Sequence, residues 1–440
     1  MLTLSLLNAP LIAGPVPATV SALGVLAGIY LLVRRPRRWW TRQVPVAMVG
    51  GVLVAGSAAL AVAVLSPFPD PLPMRVLAWM AVAAAAVGLM GMRRRDGWRR
   101  GAVAVFATLA VLLMSLVKVN AYYGYRPTIA AALGISGAEQ VVPADLMHRS
   151  RLVDASPHQA LSHSWHHPPD MPRVGRVTTI PIPGRRSRFP ARQAWLYLPP
   201  AYLGSLRPRL PVLVLIAGQP GGPQDWVFAG RLAAIMDAFA AAHDGLAPVV
   251  VVPDATGSEL GNTLCLDSRL GAAETYLADD VPAWAGTFLD VDIAQLAIAG
   301  FSFGGTCALQ LSLRRPDVYR TFLDVSGQRA PTLGNLAATV GAAFGGDMGA
   351  YRRVDPGTEL RTTRYPDTAG VFVVGRNDDV YRPQAEHLAT AARAAGLGTT
   401  LREVPGAHSW AIASDALATA LPWIAGRTGL IDPGPPPAGT

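Results

Sequence analysis

Four stretches of about 20 apolar residues, each long enough to cross a hydrocarbon core as a helix, fill the first quarter of the chain. They cover 11–33, 44–65, 74–92 and 101–119. Such segments commit this part to a bilayer, and the placement of charge supports that choice. The 440-residue chain has a net charge of +9, yet residues 1–119 hold eleven Arg and one Lys against only Asp70 and Asp96, while residues 120–440 sum to −1. A nucleic-acid-binding domain would spread its basic residues over a folded polar face. Here they stand between apolar stretches, so nucleic acid is not expected as a partner.

The Arg residues also give a direction. Arg34, Arg35, Arg37, Arg38 and Arg42 separate the first two stretches; Arg93, Arg94, Arg95, Arg99 and Arg100 separate the last two. The middle connection, 66–73, has one Asp and no basic residue. Positive residues stay on the cytoplasmic side, which puts both Arg loops inside and both termini outside. Trp39, Trp40 and Trp98 are expected at the inner boundary and Tyr122, Tyr123 and Tyr125 at the outer one. The start, 1–10, lacks a positive n-region, so no cleaved signal peptide is expected. No ionisable residue lies at mid-depth, and Arg75 and Lys118 can snorkel from the ends. The four spans therefore read as an anchor (1–119) and not as an ion pathway.

After a loop-like linker rich in Pro, His and Ser (120–172), short β-rich runs alternate with Ala-rich helical text. Strands are expected at 174–182, 193–198, 212–217, 249–253, 296–299, 321–325, 371–374 and 399–404. Helices are expected at 226–242, 273–288, 304–315, 383–395 and 409–424. Apolar runs such as VLVLIA and VVVV suit a parallel sheet covered on both faces. The alternation predicts an α/β, doubly wound domain over 173–425, followed by a disordered tail at 426–440. With 51% hydrophobic residues the chain has ample material for a core, and two cysteines exclude a disulfide-stapled miniprotein.

The sharpest local feature is Gly300-Phe301-Ser302-Phe303-Gly304-Gly305, directly after one expected strand and opening a helix. Small residues beside a Ser allow a tight strand-to-helix turn that projects the hydroxyl and aims the helix N-terminus at a developing oxyanion. The alternative is a Gly-rich turn that merely packs closely. A serine nucleophile needs a base, and the base an orienting carboxylate. Beyond Ser302 the only histidines are His387, inside a helical run, and His408, in a loop just after the last strand; His408 is the candidate base. For the acid, Gly375-Arg376-Asn377-Asp378-Asp379 leaves the same edge of the sheet. Asp378 is chosen over its neighbour Asp379, and Asp415 falls inside the last helix. Two backbone N–H donors are expected to hold the oxyanion: Phe303, after the nucleophile, and Gln219 in Gly218-Gln219-Pro220-Gly221-Gly222, since Pro220 has no N–H. A phosphate loop is disfavoured there, because no Lys-Ser/Thr ending follows.

GFSFGG, the Gly-x-x-Asp of 375–378, GAHSW (406–410), YLPPAY (197–202) and RRPDVY (314–319) together resemble the putative-esterase branch of the α/β hydrolases. That branch holds esterase D, enterochelin esterase and the antigen 85 mycolyltransferases. The likeness spans 174–424. It implies an α/β-hydrolase fold with Ser302 as nucleophile, His408 as base, Asp378 as acid, and Gln219 and Phe303 amides as oxyanion hole. Phe303 stands where the family often has Met. Antigen 85 proteins use Glu as the acid and lack the second elbow glycine, which draws this chain toward the esterases. The four spans resemble those of membrane-anchored actinobacterial members.

Two further groups complete the reading. Outside the membrane Cys265 and Cys307 can pair, the alternative being two buried thiols. His148, His158, His163, His166 and His167 gather in the linker without the carboxylate or Cys shell of a metal site, so neither metal nor cofactor is expected. The insertion 327–368 is expected to form a lid or acyl-binding wall. The expected protein is a multi-pass membrane-anchored serine esterase with an extracytoplasmic catalytic domain, acting on lipid or cell-envelope esters. The alternatives are an acyltransferase that passes the acyl group to a sugar or lipid hydroxyl, and an inactive scaffold.

Overall fold

The computed structural model describes residues 6–65, 70–93, 97–135, 139–140, 151–156 and 158–439. The readings made above for residues 1–5 and 66–69, Arg94, Arg95, Asp96 and His148 lie outside these. The chain divides into two compact units, Met1–Ser136 and Gly137–Thr440.

The first unit contains helices α1 (Pro15–Leu32), α2 (Val44–Leu65, preceded by a π-turn at Trp39–Gln43), α3 (Met74–Arg93) and α4 (Trp98–Tyr123). All four are long and apolar enough to cross a membrane. Leu31, Ala47, Ala86, Leu89, Ala104, Val111 and Met114 pack at their centre, while Leu26, Val52, Leu53, Phe106 and Leu116 face outward, as lipid-facing positions do. Gly51 lies so close to α3 that a Cβ there would meet the Ala81 carbonyl at 2.4 Å, the close approach that small residues give helices in lipid.

Two of the residues expected near one membrane boundary have partners that hydropathy does not show. Trp40 and Trp98 are exposed, but Trp39 is buried in the bundle and its Nε1 donates to the Leu32 carbonyl at 2.7 Å. Arg93 is the last residue of α3, not part of a loop. Its Nε and Nη2 donate to the carbonyls of Leu31 (3.1 Å) and Val33 (2.6 Å), and its guanidinium lies over the Tyr30 ring. Carbonyls at a helix C-terminus have no intrahelical donor, and these two side chains supply donors for α1. Helix α4 also runs past 119 and stops at Gly124, whose left-handed φ of 67° ends the helix.

The second unit is built on a nine-stranded sheet. Its strands are β1 (Glu139–Gln140), β2 (Arg176–Ile180), β3 (Ala194–Leu198), β4 (Leu210–Ile216), β5 (Val249–Val252), β6 (Val291–Phe301), β7 (Thr321–Val325), β8 (Ala369–Gly375) and β9 (Gly398–Val404). Their order is β1-β2-β3-β5-β4-β6-β7-β8-β9. Pairing is antiparallel on both sides of β3 and parallel from β5 through β9. This is the doubly wound α/β-hydrolase arrangement, mostly parallel. Strands β4, β5, β7 and β8 are buried along their whole length, which explains their uninterrupted apolar text.

Flanking helices include α5 (Leu232–Ala241), α6 (Val281–Phe288), α7 (Phe303–Arg314), α8 (Leu336–Phe344), α9 (Pro356–Thr362), α10 (Arg382–Ala394) and α11 (Trp410–Arg427). The helix expected at 226–242 is broken into Gln224–Phe228 and α5, with Arg231 at φ 54° between them. Two described parts of the linker expected at 120–172 pair with strands of the second unit. Glu139–Gln140 joins the sheet beside β2, and Arg151–Val153 pairs with Leu206–Pro208. The tail is ordered at its start: Leu430 is fully buried, and the Gly429 and Leu430 carbonyls accept from the N–H groups of Leu161 and Ser162.

Candidate active site

The parallel strands end together, and their C-terminal edge carries every candidate residue. Ser302 follows β6 and caps α7 with φ 58° and ψ −119°, a strained backbone for a residue with a side chain. Two contacts hold it there: its N–H donates to the Val325 carbonyl at 2.8 Å and its own carbonyl accepts from Thr306 N at 3.1 Å. The glycines of the elbow are needed sterically. A Cβ on Gly304 would sit 2.1 Å from the Ile216 carbonyl oxygen, and one on Gly300 would sit 2.0 Å from that of Gly304.

His408 lies in the loop between β9 and α11. Its Nδ1 is 3.0 Å from Asp378 Oδ2; a carboxylate only accepts, so Nδ1–H donates. Asp378 follows β8, is 4% exposed, and takes a second hydrogen bond at Oδ1 from Tyr381 N (3.1 Å). Asp379, Asp415 and His387 are all exposed. Both flanking loops are tied together by Arg376 N to Val404 O and Asn377 N to Gly406 O, each 2.8 Å.

Aromatic residues enclose the imidazole. Tyr381 stacks on it with centroids 4.2 Å apart and an interplanar angle of 24°, and Phe301 stacks at 4.8 Å and 29°. Phe301 in turn touches Trp410, Trp410 meets Trp226 edge-on, and Trp226 Nε1 donates to the Ile216 carbonyl at 2.9 Å. None of these contacts was visible in the sequence beyond the adjacency of Phe301 to Ser302.

The loop after β4 comes close to the nucleophile. A Cβ on Gly218 would lie 3.5 Å from Ser302 Cβ, so the loop that carries Gln219 starts beside the elbow. Several partners hold this loop. Gln219 Nε2 donates to Leu260 O, Gly221 N to Glu259 O, Gly222 N to Asp225 Oδ2, and Arg192 Nη2 to Gly221 O. Arg192 also pairs with buried Asp254 at 2.8 Å. Burial alone would raise the Asp254 carboxyl, but the hydrogen bonds and charge of Arg192 outweigh it and hold the group below its ordinary range.

Cys265 and Cys307 form a disulfide with Cα atoms 5.5 Å apart, joining the loop after β5 to the helix behind Ser302. Beneath the elbow, Asp324 is buried and its Oδ1 accepts from Gly327 N at 2.7 Å. Burial, opposed by that N–H, pushes its carboxyl up to about 7. The insertion between β7 and β8 is tied back by Arg314 of α7, whose Nε meets Glu274 at 2.9 Å and whose Nη1 meets Glu359 of α9 at 3.2 Å. His163 contacts Asp432 at 2.9 Å. Among the described residues no group of three or more His, Cys, Asp or Glu could hold a metal ion.

A family model described as "Putative esterase" matches residues 191–424. An uncharacterized protein of Corynebacterium glutamicum is 33% identical over 425 residues, covering 94% of each chain. Among solved structures, a ferulic acid esterase aligns with a TM-score of 0.49 at 19% identity, covering 58% of this chain and 98% of its own. An S-formylglutathione hydrolase from Agrobacterium tumefaciens aligns with a TM-score of 0.49 at 20% identity, covering 58% and 97%.

Proposed function

Because the chain belongs to the putative-esterase family of α/β hydrolases and is an esterase-type hydrolase, we propose that Ser302, His408 and Asp378 are its nucleophile, base and orienting acid. The observation that carries the assignment is the 3.0 Å contact between buried Asp378 and His408 Nδ1, which leaves Nε2 as the proton-accepting edge. In the first half-reaction the Ser302 Oγ–H proton passes to Nε2 while Oγ attacks the ester carbonyl carbon. The carbonyl oxygen becomes an oxyanion, met by the N–H groups of Phe303 and Gln219. Collapse breaks the ester C–O bond, and Nε2 returns the proton to the departing alkoxide. Water, activated by the same nitrogen, then attacks the acyl-enzyme, and Ser302 recovers its proton. A sugar or lipid hydroxyl in place of water would make the same acyl-enzyme a transferase intermediate, which an ester panel with and without such acceptors separates.

The four long apolar helices anchor this enzyme as a multi-pass membrane protein. The Arg-rich connections lie inside, and the catalytic unit lies outside. The disulfide supports that placement, because cystines persist in oxidising compartments. Substrates at the outer surface are then lipid or cell-envelope esters. Covalent labelling by a fluorophosphonate probe tests the enzyme assignment. Labelling of the native chain that disappears in Ser302→Ala is expected; labelling that persists in the variant would overturn it.

A further inference from the structure

Resting on that reading of His408, we infer that Tyr381 and Phe301 form an aromatic clamp that positions the imidazole and stabilises the charge it acquires. Two rings stacked nearly parallel to one imidazole at 4.2 and 4.8 Å would collide if they shared a face, so they cover opposite faces. Asp378 holds the Nδ1 corner. The imidazole is thus fixed against tilting by the rings and against spinning in its plane by the carboxylate.

The clamp is itself anchored at both ends. Tyr381 begins the turn into α10 and is tied by its own N–H to Asp378 Oδ1, so the acid and one jaw move as a unit. Phe301 immediately precedes Ser302 and is braced by Trp410 and, through it, by Trp226. The other jaw therefore moves with the nucleophile. When Nε2 takes the serine proton the ring becomes an imidazolium, and a cation within about 6 Å of an aromatic centroid is attracted to the face of that ring. This attraction exists only while the charge exists. It lowers the barrier and not the energy of bound substrate.

The test uses the full-length chain with p-nitrophenyl butyrate, comparing Tyr381→Leu, Tyr381→Phe and Tyr381→Trp. Tyr381→Leu should lower kcat about 3- to 30-fold with KM within about twofold of the native value, a split that loosened packing around the substrate would not give. Tyr381→Phe and Tyr381→Trp should recover most of the rate, since each restores an aromatic face. Equal kcat in Tyr381→Leu and native protein would overturn the clamp, as would equal losses in the Leu, Phe and Trp variants. If Tyr381→Leu fails to fold, the order of Phe301→Leu below Phe301→Tyr decides in its place, and equal rates there overturn the proposal. Ser302→Ala run alongside keeps the two readings apart. Ser302-independent turnover refutes the nucleophile, whereas Ser302-dependent turnover indifferent to ring character refutes only the clamp.

Discussion

A carboxylate orients a base only if it is itself held still, and of the two adjacent acids after β8 it is Asp378 that meets that condition. It is buried and hydrogen-bonded at both oxygens, while Asp379 points into solvent. Asp378→Asn should reduce kcat by about 10⁴, and Asp379→Asn should leave it within about twofold, as steady-state ester hydrolysis will show. Ser302→Ala and His408→Ala should each cost 10⁴ or more, and the double variant little beyond that, because the residues act as a unit. Asp324 makes a different prediction. Its folded carboxyl sits at about 7 against an ordinary 3.8, so the native chain keeps a proton that the unfolded chain releases. That contribution is complete below the unfolded value and is lost as pH rises through about 7. Thermal midpoints should therefore fall between pH 5 and pH 8, and Asp324→Asn should flatten the part due to this group. Ser302 and His408, the proposed nucleophile and base, could be singled out in the sequence because a strand-to-helix Gly-x-Ser-x-Gly turn and a loop-borne histidine each carry a local signature. The choice between Asp378 and Asp379 was ambiguous by spacing alone, since both directly follow the same strand. Tyr381 and Phe301 were not legible, since ring stacking depends on how β6, β9 and the turn after β8 converge.

At the scale of elements, the elbow works because α7 can approach β4 within contact of its last carbonyl. Gly304→Ala inserts a methyl group 2.1 Å from the Ile216 oxygen, and both atoms belong to rigid backbone. Loss of fluorophosphonate labelling together with a lowered thermal midpoint is the expected result. The disulfide crosses 42 residues, and closing a loop of that length stabilises the folded state by about 4 kcal/mol in the chain-entropy account. Replacing both cysteines by alanine should lower unfolding free energy by an amount of that order, measured by urea denaturation of the chain in detergent. The long buried strands were readable as continuous apolar runs. The paired segments Glu139–Gln140 and Arg151–Val153 were not, because strands of two or three residues are defined by their partners and not by their own composition. The break at Arg231 was hidden for a related reason. Its left-handed backbone serves the turn between two helical pieces, and left-handed backbone at a residue with a side chain has no signature in composition.

For the whole molecule, charge and chemistry are divided between two units. The surplus of Arg belongs to the first 119 residues and the proposed nucleophile to a second unit that is close to neutral. In the proposed topology the Arg loops set direction, so a reporter enzyme that works only outside the cytoplasm should be active when fused after Thr440. Moving the five arginines of 34–42 into the connection at 66–73 should abolish that activity. The donors that Trp39 and Arg93 supply to the end of α1 were not legible, because hydropathy does not reveal a side chain that caps a neighbouring helix. The Cys265–Cys307 bond carries a consequence for this arrangement. A chain threaded backwards would leave both sulfurs in a reducing cytosol as thiols, while a correctly threaded one has none to offer. After denaturation, a maleimide-linked polymer would add mass to the backward chains alone, so two bands on a gel would count the molecules of each orientation in a living membrane.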